Sequence, residues 1–194
     1  MRSCLGLSIG ATNLVAVPAG CPPTVRGAVL TLFGHRPPEV GVPSENPRLD
    51  EHGLVLTGFV ERVGDPVPIV ASDGSAHSGE RLVVDALGAL TRSAGLGRPP
   101  ERTVIAVPAH WRHSVVKALR AQLPGTPVVS DAVAALTALR AGPGLPPRGI
   151  VALCDFGATG TSITLADAAA GFRRVGQTVR YDEFSGDQID QAIV

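Results

Sequence analysis

Lysine and net charge are nearly absent from this chain of 194 residues. Its 17 basic residues include a single lysine, Lys117, and the formal net charge at pH 7 is zero. A neutral chain lacks the long-range attraction that draws basic proteins to nucleic acids and anionic membranes, so we expect neither as a partner. Any chemistry that requires a lysine has only Lys117 to use, and that residue lies in a predicted helix.

Long hydrophobic runs and metal-binding cysteine patterns are also missing. No stretch of about 20 apolar residues occurs, so we predict no membrane-spanning segment. Cys4, Cys21 and Cys154 are odd in number and have no metal-ligand spacing, which is typical of reduced thiols in a cytoplasmic protein. Because Cys154 lies in an apolar run, we expect its thiol to be buried.

The hydrophobic residues, 44% of the chain, follow strand and helix patterns in turn. Strands are predicted at residues 4–9, 14–18, 25–33, 103–108 and 128–129, and helices after Ser78, across 115–123 and at 132–139. Ser78 is the expected N-cap of the first helix. After prolines at 143–147 we predict a buried strand at 149–155, further strands at 162–166 and 173–180, and the start of a helix at 185–194.

This order of elements indicates one complete mixed α/β lobe followed by the opening of a second. We assign residues 1–147 to the first lobe, with a divergent insertion at 34–80, and residues 148–194 to the second. The repeat is one of pattern, without a repeat of residue identity. An incomplete lobe cannot bury its own sheet, so we expect the remainder of the chain or another protein to cover it.

Six motifs follow one another along nearly the whole chain: LGLSIGATNLVAV, GFVERVGDPVPI, TVIAVPAHW, VVSDAVAAL, VALCDFGATGTSITL and SGDQIDQAIV. Together they resemble the nucleotide-binding domain of the heat shock protein 70 (DnaK-like) family, which belongs to the actin-like ATPases. In that family, the first and fifth motifs are the hairpins that hold phosphates. The second motif resembles divergent bacterial members in particular.

The resemblance implies an α/β chain with the actin-like ATPase (ribonuclease H-like) fold, as one complete mixed-sheet lobe plus the first strands of a second. It also implies ATP or ADP as the ligand, Mg²⁺ as its ion and protein clients as partners. The implied phosphate-binding residues lie in two turns and are Gly10, Ala11, Thr12, Asn13, Gly157, Ala158, Thr159 and Gly160. Glycine lets a backbone approach a phosphate, and successive turn amides can form an anion-binding nest.

Asp155 and Asp131 are the acids that the resemblance assigns to catalysis. Asp155 ends an apolar strand and would hold a metal ion through water, whereas the alternative is an Asx-type turn residue at a strand end. Asp131 precedes the alanine-rich helix, where the family has a glutamate. It would add negative charge to the site, and its alternative role is a helix N-cap.

Three further family positions have lost their charge. The acids expected in the two hairpins fall on Ser8 and Ser162, and the expected lysine falls on Val60. Arg62 could reach inward instead, although arginine is not an interchangeable substitute for lysine. Because phosphoryl transfer depends on positioned charges, we expect weak hydrolysis or none.

Two functions from different classes are therefore open. The first is a heat shock protein 70-like domain that binds ATP or ADP with weak or no hydrolysis. The second is a pseudo-ATPase that binds no nucleotide and serves as a protein-interaction scaffold. GFVERVGDPVPI and VVSDAVAAL argue against a sugar-kinase-type relative. The cluster at residues 110–113 follows a strand end, at the position of a turn in the family, so we expect Trp111 to pack over a helix start rather than to form a metal or stacking site. His35, His52 and His77 are isolated in predicted loops and lack ligand spacing.

Overall fold

The computed structural model describes residues 4–142 and 144–193; Met1 to Ser3, Pro143 of the predicted proline linker, and Val194 lie outside the described residues. The described chain is mixed α/β. Its helices are α1 (Gly79–Ser93), α2 (His113–Ala121), α3 (Asp131–Leu139) and α4 (Gly186–Ile193), with 3-10 turns at Val60–Arg62 and Ala168–Ala170. The first ten strands are β1 (Cys4–Ile9), β2 (Asn13–Pro18), β3 (Thr24–Gly27), β4 (Leu30–Leu32), β5 (Glu39–Val40), β6 (Leu54–Leu56), β7 (Ile69–Val70), β8 (Ala76–His77), β9 (Arg102–Val107) and β10 (Val128–Ser130). The last four are β11 (Ile150–Phe156), β12 (Thr161–Asp167), β13 (Arg173–Arg174) and β14 (Val179–Tyr181).

The strands form two main sheets and two small ones. The first main sheet mixes parallel and antiparallel neighbours in the order β10-β9-β1-β2-β3, and its β1, β2 and β3 are successive antiparallel neighbours. The second has the order β11-β12-β13, and β14 also pairs with β12. The small sheets, β5-β4-β6 and β7-β8, fall within the predicted insertion and the segment before it. The predicted α/β class is thus confirmed.

Contacts group the chain into two compact units. The first unit contains Met1–Ile105 and Arg112–Val128, and the second contains Ala106–Trp111 and Val129–Val194. This grouping reflects contacts within the chain, whereas the division at residue 147 follows from the order of the predicted elements and the prolines at 143–147. The lobe boundary therefore stays a prediction.

The core of the first unit forms around the amphipathic helix α1. The residues predicted to share its buried face are all buried, namely Leu82, Val83, Ala86, Leu87 and Leu90. Ser78 is the predicted N-cap, and its hydroxyl accepts the Arg81 N–H at 3.3 Å. The helix contacts β2 and β5, so the same apolar surface also covers part of the sheet that carries the first hairpin.

The second unit has a smaller core. Five side chains from α3, β11, β12 and the following turn form it: Leu136, Val151, Ala166, Ala168 and Phe172. Most of the exposed large hydrophobic side chains of the described chain also lie in this unit. Its sheet is therefore covered less completely than the sheet of the first unit.

The prediction that residues 149–155 form a buried strand is wrong in its burial. β11 is an edge strand, and only Val151 among its residues is buried. Ile150 is 57% exposed and Phe156 is 70% exposed, and Cys154, whose thiol we expected to be buried, is exposed as well. A continuous apolar run predicts a strand whose two faces are both packed against other elements. The second unit provides few side chains that pack on β11.

Two strands predicted as continuous are each divided. The segment 25–33 becomes β3 and β4 in different sheets, because the Ala28 N–H donates to the Thr12 carbonyl at 2.7 Å and diverts the chain. The segment 173–180 becomes β13 and β14, with Gly176 between them at a φ of 77°. Apolar periodicity alone did not reveal either break.

Across residues 4–142 and 144–193, the structure contains no helix that is both long enough and apolar enough to span a bilayer.

Candidate functional site

The two predicted phosphate-binding turns share one backbone geometry. The Gly10 N–H donates to the Asn13 carbonyl at 3.0 Å, and the Gly157 N–H donates to the Gly160 carbonyl at 3.0 Å. A Cβ atom on Gly10 or on Gly157 would lie 2.9 Å from that same carbonyl oxygen. Each first position therefore requires glycine for the same reason, which is the close approach of its own turn.

The likeness extends to residue identity, which the prediction of a repeat in pattern alone missed. Both turns begin Gly-Ala-Thr, at residues 10–12 and at residues 157–159. The turns differ in what closes them. In the first turn, the Thr12 carbonyl accepts the Ala28 N–H. In the second, the Gly157 and Ala158 carbonyls accept the N–H groups of Gly186 and Asp187 at the start of α4, each at 3.0 Å.

Beside the second turn, three strands place a row of polar side chains on one face. Asp155 on β11 lies opposite Ser162 on β12, and Ser162 lies opposite Arg180 on β14. Directly opposed residues in neighbouring strands have side chains on the same face of a sheet. Ser162, at which the resemblance predicts an acid, thus lies between a carboxylate and a guanidinium.

The side chain of His110 lies against this row. Its Nδ1 is 3.4 Å from the Ser162 hydroxyl, a long and weak hydrogen bond. Burial lowers the pKa of His110 to about 4, with a further contribution from the positive charge of Arg180. At neutral pH the imidazole is therefore uncharged.

Asp131 also lies in the second unit, where its carboxylate connects the segment after β9 to the start of α3. Its Oδ1 accepts the Ala109 N–H at 2.8 Å and the Ala132 N–H at 2.5 Å. The N-cap of α3 is Ser130, so Asp131 is the first helical residue rather than the cap. Its carboxylate nevertheless bonds to backbone amides at the helix start, which is close to the alternative role predicted for it.

Burial raises the pKa of Asp131 to about 6, and the negative charge of Asp155 adds to the effect, while the two amides oppose it. Asp131 holds the N–H of Ala109, whose neighbour His110 contacts Ser162, the residue opposite Asp155. Asp155 itself is exposed. The structure therefore brings together the two predicted acids, although only Asp131 is held by hydrogen bonds among the described residues.

Arg180 is the residue that sequence reasoning missed. Its Nη2 donates to the Thr159 hydroxyl at 2.8 Å, and its Nε donates to the Asp182 carboxylate at 2.8 Å. A Cβ atom on Gly160 would lie 2.8 Å from the Arg180 Cζ. The guanidinium thus lies against the last residue of the second turn. No local motif marks Arg180, because its position depends on the pairing of β14 with β12.

The predicted lysine position and the basic residues nearest to it in the sequence lie in the first unit. Val60 is 3% exposed in its 3-10 turn. Arg62 does not act as a free cation, since it pairs with Asp65 at 3.0 Å and its Nη2 donates to the Val67 carbonyl at 3.0 Å. Lys117 is exposed on α2.

Trp111, which follows the end of β9, is half-buried. Its backbone N–H donates to the Pro108 carbonyl at 3.0 Å.

Among the described residues, those predicted for the site neither form a metal-binding cluster nor line the best-formed cavity of the first unit. Within the part of the chain that the structure describes, no group of three or more His, Cys, Asp or Glu side chains could hold a metal ion. A cavity of about 370 Å³ in the first unit is lined by residues near 29–31, 41–43 and 49–55, with no predicted site residue among them.

In comparisons with known proteins, no protein-family model matches the chain and no curated protein matches it significantly.

Proposed function

We propose that this chain is a divergent heat shock protein 70-like nucleotide-binding domain with the actin-like ATPase fold. In this proposal it binds the phosphates of ATP or ADP at its glycine turns, in the cytoplasm, and hydrolyses ATP weakly or not at all. The observation that carries the proposal is the pair of Gly-Ala-Thr turns with matching hydrogen bonds at 3.0 Å. The closing hydrogen bond alone occurs in ordinary two-residue hairpins, so the repeated Gly-Ala-Thr sequence is what distinguishes this pair.

Weak hydrolysis follows from the groups around those turns. In the first hairpin, the position of the family acid holds Ser8, which lies opposite Val15. In the second, the corresponding position holds Ser162. A positioned acid or base contributes roughly 10²–10⁴-fold to a rate, so the loss of two acids and a lysine favours binding without efficient turnover.

The residues of the second unit fit a magnesium ion held through water. Mg²⁺ usually keeps several waters and needs only one or two carboxylates together with phosphate oxygens. Asp155 is an exposed carboxylate at the end of β11, and Asp131 has one oxygen that accepts no hydrogen bond among the described residues. When bound, the ion would neutralise phosphate charge. Asp155 would hold it through water.

The proposal is tested by calorimetric titration of Mg-ATP into the protein and into two variants. Asp155→Ala removes the carboxylate beside the second turn, and we expect about a 10-fold loss of affinity for Mg-ATP because one charge-assisted contact is lost. Asp190→Ala is the matched control, since it removes an exposed carboxylate from α4 in the same unit. Affinity that is equal in all three proteins would exclude Asp155 from the site.

The second candidate function, a scaffold without nucleotide, is favoured by the exposed apolar surface of the second unit. Phe156 and Phe184 are 70% and 52% exposed, and their rings form an edge-to-face pair with centroids 6.1 Å apart. Exposed aromatic clusters mark protein-binding surfaces. In this second proposal a partner protein or a client covers this surface. A protein that shows no heat with Mg-ATP and no change in melting temperature would favour this function.

A further inference from the structure

We propose that Arg180 supplies the positive charge that an oxyanion, such as a terminal nucleotide phosphate, meets at the 157–160 turn. For the nucleotide, this inference rests on the proposed function. For the oxyanion itself, it rests on the geometry of the second unit alone. Arg180 would thus contribute charge in a chain whose only lysine, Lys117, lies on α2 of the other unit.

The guanidinium of Arg180 is fixed against the turn. Its Nη2 donates to the Thr159 hydroxyl at 2.8 Å, and its Cζ lies where a Cβ on Gly160 would be only 2.8 Å away. Any larger residue at Gly160 would displace it. The glycine therefore serves two purposes, since it allows both the tight hairpin and the close approach of a planar cation.

Two of the five guanidinium N–H groups are used by Thr159 and Asp182, which leaves three for a ligand. A guanidinium fork matches the geometry of phosphate oxygens and can bind two of them at once. The geometry therefore suits a phosphate group better than a carbonyl or a hydroxyl, each of which would use one N–H.

The present acidic partner of Arg180 is replaceable. The side chain of Asp182 is 80% exposed, whereas that of Arg180 is 22% exposed. An ion pair with one fully hydrated partner contributes little stability, so an oxyanion can take over this role at small cost. A mostly buried cation also gains from a second anionic partner, because burial removes much of its water.

Among Asp155, Ser162, Arg180 and the adjacent His110, Arg180 is the group that carries a positive charge at neutral pH. His110 is uncharged at neutral pH, and Ser162 carries no charge. Asp155 lies on the other side of Ser162, two strand spacings away, or roughly 10 Å. An oxyanion beside Gly160 would therefore meet the guanidinium before it meets the carboxylate.

The test measures two ligands, Mg-ATP and inorganic pyrophosphate, on the protein and its variants. Arg180→Gln removes the charge, and we expect both affinities to fall roughly 10- to 100-fold because a hydrogen-bonded charge contact is lost. Arg180→Lys keeps the positive charge but lacks the planar guanidinium. Its affinities should lie between those of the unchanged protein and those of Arg180→Gln. Arg173→Gln, an exposed arginine on β13, is the matched control and should bind as the unchanged protein does.

Thr159→Val provides a second route if Arg180→Gln does not fold. It removes the hydroxyl that holds the guanidinium while keeping the charge, and we expect a several-fold loss of affinity for pyrophosphate. Circular dichroism and melting temperature establish folding for each variant before binding is compared. A folded Thr159→Val protein that binds pyrophosphate with unchanged affinity would overturn the role of the fixed guanidinium.

The two ligands separate this inference from the proposed function. Binding of pyrophosphate but not of Mg-ATP, with loss in Arg180→Gln, would support Arg180 and overturn nucleotide binding. Binding of Mg-ATP with equal affinity in Arg180→Gln would overturn Arg180 and leave the proposed function intact. Absence of binding by either ligand to the unchanged protein would overturn both.

Discussion

The β1-β2 and β11-β12 hairpins have the same turn but opposite chemistry beside it. At equivalent register positions, the first sheet places Ser8, Val15 and Val25 in a row across β1, β2 and β3. The second sheet places Asp155, Ser162 and Arg180 in a row across β11, β12 and β14. Backbone geometry and side-chain charge thus vary independently in this chain. The second hairpin holds the charged groups on which binding would depend.

The same comparison extends to burial. Leu7 and Cys154 occupy equivalent positions, each three residues before the first glycine of its turn. Leu7 is 4% exposed, whereas Cys154 is exposed. The first sheet rests on α1, and the second rests on a core of five side chains. Cys154 and Asp155 are successive strand residues and so point to opposite faces of β11. The face that carries Cys154 is left open, whereas Ser162, in the polar row on the other face, is 4% exposed.

The largest expected effect tests whether the two turns are equivalent. Gly10→Ala and Gly157→Ala each place a Cβ 2.9 Å from a carbonyl oxygen of the same turn. Because backbone must shift to relieve the overlap, we expect each variant to lose about 1–3 kcal/mol of unfolding free energy in urea titrations.

Gly34→Ala is the control for these variants, since its Cβ would meet no atom within 4 Å. Its stability should match that of the unchanged protein within about 0.5 kcal/mol. A loss in Gly10→Ala without a loss in Gly157→Ala would break the equivalence of the turns.

An intermediate effect concerns the titratable groups found beside the second hairpin. In the folded protein the pKa of His110 is lowered from 6.5 to about 4, so its contribution to stability is lost as pH falls from 6.5 to 4. The pKa of Asp131 is raised from 3.8 to about 6, so its contribution is gained as pH falls from 6 to 3.8. The two contributions oppose each other over nearly the same range.

Variants should separate these opposed contributions. Between pH 7 and pH 4.5, Asp131→Asn should lose more stability than the unchanged protein, and His110→Gln should lose less. We expect differences of about 1 kcal/mol after allowance for solvent screening, measured by urea unfolding at both pH values. Identical pH dependence in the two variants would contradict the burial of both groups.

The smallest effect is one of reactivity and leaves stability unchanged. We expect a maleimide to label Cys154 and Cys21, which are exposed, faster than Cys4, which is half-buried. Peptide mass spectrometry after timed labelling measures the three rates, and labelling in denaturant should make them equal. Equal rates in the folded protein would mean that the faces of β1 and β11 are covered alike.

Sequence patterns predicted the elements whose causes are local. The N-cap at Ser78 and the buried face of α1 were predicted correctly, because capping and helical periodicity act within a few residues. The glycine turns were placed at the right residues for the same reason. The mixed α/β class followed from the order of these elements, while the actin-like assignment remains a proposal.

The sequence by itself determined where the helices and the two glycine turns form, since each depends on neighbours along the chain. Only the tertiary structure decided that Arg180 lies on Gly160, that Asp131 holds the Ala109 amide 22 residues away, and that β11 is exposed. These features depend on the register between distant strands and on how much apolar surface the rest of the chain provides. Local patterns carry neither kind of information, because pairing and burial are set by the whole fold.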